Sequence, residues 1–479
     1  MSFWKRHLHT LIVVFILAGI VLGSVLQSFG APGPGKPVEQ VAPGFASMLG
    51  FYFFHAIDLL GRLFLAALKM IIVPVVVVSI GYGLGGMSRG ANVGRIALRT
   101  VLYYLLTTGL AVCTGLILVT LFQPGSGEEI RQTVEGMLSQ EVSGTSSSGS
   151  LQAKIDRAQA QIEAEGLKGL EGAPLMVLKL KNLALSLMPT NVFQAMAAGK
   201  FLPIIVFSIL LGTTLLLVRD QTPSLLVLFE ELQTLLFTLL GAIMLTAPIG
   251  FFCIVAKLCW TVGLEGVGSV WVYGVTVLIG LAFHGLVILP TICWVFGRRN
   301  PIEFAGKIRN ALVMAFSTAS SSATLPVTLK NVEGSAGIKK DYASFVLPLG
   351  ATVNMDGTAI YESIALVTLA TSYAAASGIP LGWEMADMIV IFLSVTLAAV
   401  GAAGVPGAGI FMLILLLSTI RIGDTVGVPA SLIGLIIVLD RPLDMIRTCI
   451  NVWGDSVGCV VVSNLEERAQ ARERAEGKF

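Results

Sequence analysis

The sequence predicts an all-α polytopic membrane protein with eight transmembrane helices and two re-entrant helical hairpins. Of its 479 residues, 55% are hydrophobic and 13% are charged, against roughly 25% charged in soluble domains. The apolar residues gather into segments long enough to cross a hydrocarbon core, about 20 residues at about 1.5 Å of rise each. Eight spans and two hairpins also leave the basic groups between segments on one side, as the positive-inside rule requires. The net charge of +2 is too small to nominate nucleic acid as a partner. Cys113, Cys253, Cys259, Cys293, Cys449 and Cys459 lie in apolar segments without CxxC spacing, so they signal neither a disulfide framework nor a zinc site.

Lys5-Arg6-His7 precede an apolar run to about Leu26. That run is longer than a secretory h-region and no small-x-small site follows it, so it reads as the first span. A Gly/Pro loop from Gly30 to Pro43 leads to a second span, about Ala46 to Ile80, holding Lys69 and Pro74. After Arg89, Arg95 and Arg99, a third span from Ile96 to Phe122 carries Tyr104, Thr107 and Thr108. From Gln123 to Lys181 the composition turns to Ser, Gly, Gln and mixed charge. That stretch reads as an extramembrane loop, with helix expected around Leu151 to Glu165. Three further spans are expected at Val192 to Val218, Leu228 to Gly263 and Val267 to Phe296, the last closed by Arg298-Arg299.

The stretch Pro301 to Lys330 breaks the pattern. Its apolar part, Ala311 to Val327, holds Ser317, Thr318, Ser320, Ser321, Ser322 and Thr324, too polar and too short for a lipid-facing span. Arg298-Arg299 before it and Lys330, Lys339 and Lys340 after it place both ends on one side, so the segment enters and returns. Such a hairpin is tolerated only where protein or a water-filled cavity surrounds it. The seventh span, Ala343 to Tyr373, is interrupted at Asn354-Met355-Asp356-Gly357-Thr358, which argues for unwound backbone. Ile389 to Leu417 is broken by glycines and a proline from Gly401 to Gly409, and reads as a second hairpin on the opposite face.

The eighth span, about Ala430 to Val462, should be nearly free of charge, yet it contains Asp440, Asp444, Arg447, Asn451 and Asp455. Their spacing at about 100° per residue confines all five to roughly 80° of the helix. Each intramembrane charge costs ~3 kcal/mol on insertion scales, so the stripe needs partners elsewhere and marks a site. Paired broken segments are themselves the sequence pointer to a midplane site in secondary transporters. Freed carbonyls beside a carboxylate suit Na⁺ or H⁺, with Asp356 and Asp455 the evident carboxylates. Arg447 suits a substrate carboxylate and Asp444 an ammonium, which together describe an acidic amino acid. An enzyme is not expected: His7 and His9 are terminal, His55 and His284 stand alone in apolar surroundings, and the Ser run has no base at helical spacing.

Four motifs, Ser320-Ser321-Ser322-Ala323-Thr324-Leu325-Pro326, Asn354-Met355-Asp356-Gly357-Thr358, Gly404-Val405-Pro406-Gly407-Ala408-Gly409 and the Asp444 to Asp455 stripe, resemble the dicarboxylate/amino acid:cation symporters, the glutamate transporter family. The resemblance covers the chain outside the Gln123 to Lys181 loop. It implies inverted repeats and a homotrimer in the cell membrane with cytoplasmic termini. Each protomer would pair a scaffold with a transport domain that moves as an elevator, the hairpins serving as inner and outer gates. On that scheme residues 1–122 hold the first three spans, the third belonging to the transport domain. Residues 123–181 are the loop, 182–263 the scaffold and trimer contacts, and 264–479 the rest of the transport domain and the tail.

The resemblance further implies that Arg447 binds the substrate side-chain carboxylate and Asp444 its ammonium. Ser320, Ser321, Ser322, Thr358, Ala403, Val405, Gly409, Thr448 and Asn451 would line the site. One Na⁺ would sit at Asp455 with carbonyls of Gly350, Asn354 and Asn451. A second would take Asn354, Asp356, Thr107, Thr108 and the Tyr104 carbonyl, and a third the Met355 sulfur, Thr352 and carbonyls at Ala399 to Ala402. Glu362 matches the proton carrier of the animal excitatory amino acid transporters and of proton-coupled bacterial relatives. Ala319 and Met445 stand where family members carry an arginine, and Arg441 is placed to substitute. The expected activity is Na⁺-driven symport of L-aspartate and L-glutamate. Its alternatives are a C4-dicarboxylate or H⁺-only symporter and, more remotely, a neutral amino acid transporter or an anion channel.

Overall fold

The computed structural model describes residues 8–28, 45–86, 93–144, 177–178, 181–182, 184–185, 187–197, 201–378, 383, 385–402, 404–419, 421–422, 425–426 and 428–475. The chain is helical almost throughout. A two-residue antiparallel ladder, β1 (Arg421–Ile422) with β2 (Thr425–Val426), pairs Arg421 with Val426 and Ile422 with Thr425, a small departure from the all-helical expectation.

The first helices are α1 (Leu8–Ser28), α2 (Phe45–Gly85) and α3 (Val93–Phe122), followed by α4 (Glu128–Gly144). Helix α4 lies inside the stretch read as a loop. It opens with Glu128 and Glu129 in its first turn, which complement the helix dipole, and it buries Ile130 and Val134. The helix expected at Leu151 to Glu165 falls outside the described residues. Next come α5 (Val192–Ala197), α6 (Phe201–Val218), α7 (Pro223–Met244) and α8 (Ala247–Gly268). The apolar stretch Leu228 to Gly263, expected as one span, is thus two helices parted at Leu245 and Thr246. Pro248 has no N–H to bond back into α7, so it begins a new helix instead of continuing the old one.

Helix α9 (Trp271–Phe283) runs through a π-helical turn, His284–Ile288, into α10 (Leu289–Val295). The first hairpin is α11 (Pro301–Thr318) and α12 (Ser321–Lys330); α13 (Lys340–Val353) and α14 (Asp356–Ser377) follow, parted at Asn354-Met355. The second hairpin is α15 (Met385–Gly401) and α16 (Ala408–Thr419), and the chain closes with α17 (Ile433–Ala475). Among the described residues, six helical stretches can cross a membrane by length and composition: Thr10–Gln27, Tyr52–Gly85, Arg95–Phe122, Pro223–Met244, Trp271–Val295 and Lys340–Ser377.

Helix α1 packs along α8, and α2 along α6, α7 and α8. Helix α17 is the axis of the other half, touched by α11, α13, α14 and α3. Its polar stripe is buried, with Asp440, Asp444, Arg447, Asn451 and Asp455 each no more than 4% exposed. Helix α14 is buried along most of its length, so the polar break before it lies in the interior.

Candidate functional site

Two breaks and two hairpin tips converge on the middle of α17. Asn354 (φ −101°, ψ 88°) and Met355 (φ −112°, ψ 54°) leave the helical region between α13 and α14. Ala319 closes α11 in the left-handed conformation, φ 47°. Ser320 then caps α12, its Oγ accepting from the Ala323 N–H at 3.1 Å. The hairpin tips touch: the Gly404 carbonyl accepts from Ser320 Oγ at 2.6 Å and from the Ser322 N–H at 3.0 Å. Gly404 is required there, because a Cβ would lie 2.6 Å from Ser322 Oγ and 3.1 Å from its backbone nitrogen.

Against the tip of the second hairpin lies a charge cluster. Asp444 Oδ1 accepts from Arg447 Nη2 at 2.6 Å and Nε at 3.2 Å, while its Oδ2 accepts from the Gly407 N–H at 3.0 Å and Arg441 Nη1 at 3.2 Å. Asp440 Oδ1 stands 3.5 Å from Arg447 Nη1, which makes no hydrogen bond among the described residues. The Tyr361 ring lies 4.1 Å from the guanidinium carbon. Two acids and two arginines meet here, so the formal charges of the cluster balance. Nη1 is the open donor. Gly409 leaves room beside it, since a Cβ would come within 2.6 Å.

A second cluster, about two to three turns further along α17, is not balanced. Asp455 Oδ1 accepts from Asn354 Nδ2 at 3.0 Å, and Thr107 Oγ1 donates to Asn354 Oδ1 at 3.1 Å. Thr108 Oγ1 donates to Asp356 Oδ1 at 3.1 Å. Thr107 also reaches the Tyr104 carbonyl at 3.3 Å, and the Tyr104 hydroxyl bonds the Val346 carbonyl at 2.7 Å. Gly350 lies against Asp455: a Cβ there would stand 2.5 Å from Oδ1. Asp356 and Asp455 are 0% and 3% exposed. Among the described residues neither has a lysine or arginine within 4 Å, and the one titratable partner is His284, Nε2 to Asp356 Oδ2 at 3.2 Å. Buried carboxylates among neutral oxygens call for cations.

Asn451 joins the clusters. Its Oδ1 accepts from the Gly357 N–H at 2.8 Å, and its Nδ2 reaches Met355 Sδ at 3.2 Å and Thr358 Oγ1 at 3.4 Å. Thr448 Oγ1 donates to the Asp444 carbonyl at 2.7 Å. Ser321 is buried, and Ser322 and Val405 are half-buried at the tips; Ala403 lies outside the described residues. Of the third expected cation set, Thr352 Oγ1 bonds the Leu349 carbonyl at 3.1 Å, the Ala399 carbonyl takes the Ala402 N–H at 3.2 Å, and Met355 Sδ lies 3.2 Å from Asn451 Nδ2. Glu362 is fully buried on α14, and among the described residues neither carboxylate oxygen has a hydrogen-bond partner.

Sequence reasoning missed three members. His284, expected to stand alone in apolar surroundings, is fully buried against Asp356. Tyr361 is the face on which Arg447 lies. Gly454 lets Asp356 and Asn354 approach α17, for a Cβ there would meet them at 2.9 and 3.0 Å. Arg441, which replaces the family arginines in the expectation above, does reach Asp444.

The chain is 32% identical to excitatory amino acid transporter 2 of Homo sapiens, over 97% of this chain and 79% of that protein. It is 31% identical to excitatory amino acid transporter 1 of Ambystoma tigrinum, over 95% of this chain and 82% of the relative. Against excitatory amino acid transporter 3 of Bos taurus it is 31% identical, over 97% and 87%. Residues 8–465 match the Sodium:dicarboxylate symporter family, a family of transporters and not of enzymes, and with two broken segments meeting at a buried polar helix, the chain belongs to that family.

Proposed function

We propose that the chain is a secondary active symporter of L-aspartate and L-glutamate driven by the Na⁺ gradient. The observation that carries this reading is the Asp444–Arg447 pair, buried against the tip of the second hairpin, which in turn touches the first. An acidic amino acid completes it: the ammonium takes Asp444 in place of Arg447, and the side-chain carboxylate takes the guanidinium, including the open Nη1. Ser320 to Ser322 and the backbone of the tips receive the α-carboxylate. Na⁺ travels as cargo at Asp356 and Asp455, whose charge no fixed cation of the site answers. Glu362, with no partner fixing its charge, is the group on which H⁺ moves.

The topology proposed with it has eight spans, two re-entrant hairpins and cytoplasmic termini. Helices α1, α2 and α6 to α8 form the scaffold. Helix α3 and the chain from α9 onward form the transport domain, which slides as an elevator in a trimer. Helix α7 supports the trimer reading, since Leu225, Val227, Leu235 and Leu239 are 43–62% exposed along it. A melting experiment on purified protein tests the coupling. L-aspartate should raise Tm in NaCl and leave it unchanged in choline chloride, with serine inert in both. Equal stabilisation in choline would remove Na⁺ from the account.

A further inference from the structure

A second cavity, of about 650 Å³, opens at the surface where α10 ends and α11 begins. It lies outside the candidate site, and its walls are Pro290, Trp294, Arg298, Arg299 and Ile302. Arg298 sits at φ 50°, a left-handed conformation uncommon for a side chain of its size, which persists only where the surroundings hold it. The turn is braced on both sides. The Arg299 N–H bonds the Cys293 carbonyl at 3.4 Å, its Nη1 donates to the Ala336 carbonyl at 2.5 Å, and Asn300 Oδ1 accepts from the Ile302 N–H at 3.0 Å.

All of this fixes the backbone while leaving the Arg298 side chain exposed, with no ion pair among the described residues. Glu303, the nearest acid in sequence, is held by Lys307 at 2.7 Å. The apolar part of the wall is open, with Trp294 67% and Ile302 83% exposed. They stand at the end of the Trp271–Val295 stretch that is long and apolar enough to cross a membrane.

We propose that this cavity binds an anionic phospholipid. Its phosphate pairs with Arg298, Arg299 adds positive potential behind it, and Trp294 and Ile302 pack against the glycerol and the first acyl carbons. A basic pocket between helices at the membrane surface is built to take an anionic headgroup. The pairing of Trp with Arg is that of an interfacial anchor, apolar body below and polar head above. The topology above enters only in assigning the lipid to the cytoplasmic leaflet, and the readout below needs no transport, so its failure leaves the symport reading untouched.

The test is native mass spectrometry of the delipidated full-length protein titrated with palmitoyl-oleoyl phosphatidylglycerol, with phosphatidylcholine and glycerol phosphate as separate arms. The expected result is phosphatidylglycerol binding in preference to phosphatidylcholine, weakened about five- to tenfold in Arg298→Gln and retained in Arg298→Lys. Arg298→Gly provides a folded control: it relieves the left-handed conformation, so it should melt no lower than the parent in detergent and still lose the lipid. Equal phosphatidylglycerol binding by parent and both neutral variants would overturn the proposal. So would equal binding of phosphatidylcholine, or occupancy by glycerol phosphate as tight as by the lipid.

Discussion

Replacing Asp444 with Asn changes one charge at the point where the two arginines, a hairpin N–H and the proposed ammonium meet. In the protein its carboxylate accepts four hydrogen bonds, two from Arg447 and one each from Arg441 and the Gly407 N–H. Removing one partner of a buried ion pair costs about 3–5 kcal/mol in stability, so the variant should melt at a lower temperature. The selectivity effect is more informative. A charge-assisted hydrogen bond contributes about 1.5–3 kcal/mol, which at 1.4 kcal/mol per decade is about 10- to 150-fold in affinity. Aspartate loses that interaction; succinate, which has no ammonium, loses nothing. Release of Arg447 from Asp444 acts on both ligands and cancels in their ratio. Competition of unlabelled succinate against labelled L-aspartate in proteoliposomes should therefore show the aspartate preference falling by about 10- to 150-fold. A folded variant whose preference moves by less than about threefold would refute the assignment of Asp444 to the ammonium.

Four other outcomes follow from the same geometry. Gly404→Ala forces a Cβ onto the Ala351 carbonyl of α13 and to 2.6 Å from Ser322 Oγ of the opposing tip, an overpacking expected to cost about 1–3 kcal/mol and visible as a lower Tm; an unchanged Tm would mean that Gly404 is not packed against α13 and the first hairpin. Thr108→Val removes the hydroxyl that bonds Asp356 at constant shape, so half-saturating Na⁺ should rise about tenfold while KM for aspartate at saturating Na⁺ stays within about twofold. Glu362→Gln should abolish any response of uptake to a proton gradient and keep the response to Na⁺; persistence of the proton response would assign it elsewhere. At the end of α17 beyond the proposed span, burial raises the pKa of Glu466. Hydrogen bonds from Arg95 and the charges of Arg95 and Arg99 outweigh it, so the net pKa is lowered. A carboxyl with a folded pKa below its unfolded value, about 4.3, stabilises fully above that value and loses the contribution as pH falls through the folded one. The Tm gap between parent and Glu466→Gln should thus be flat from about pH 8 to 5 and close below about pH 4.

What was legible in the sequence was whatever violates the chemistry of a spanning helix. Five polar residues on one face of an apolar segment could not be satisfied by lipid, and the structure buries all five. Asn354 and Met355 lacked helical logic and lie outside the helical region. The Ser run ended a helix too short to span, and Ser320 is a helix cap. Partners remote in sequence were not legible. His284 is 72 residues from Asp356 in a segment with no other polar signal, and periodicity within one helix says nothing about what faces it. Tyr361 reads as one more apolar aromatic until the Arg447 guanidinium lies on its ring. Breaks made by proline inside a continuously apolar stretch were missed as well, because hydropathy does not register the absent N–H at Pro248. Helix α4 was read as loop from its polar composition, although Ile130 and Val134 four residues apart give it a buried face.

The central claim is that a buried aspartate–arginine pair binds an acidic amino acid whose uptake the Na⁺ gradient drives. Its most direct test is uptake of labelled L-aspartate into proteoliposomes under an inward Na⁺ gradient, an inward H⁺ gradient, or neither, for the parent protein and for Arg447→Ala. The account predicts accumulation above equilibrium under the Na⁺ gradient, blocked by unlabelled glutamate and lost in Arg447→Ala. Accumulation of succinate but not aspartate, or aspartate accumulation that survives Arg447→Ala, would contradict it.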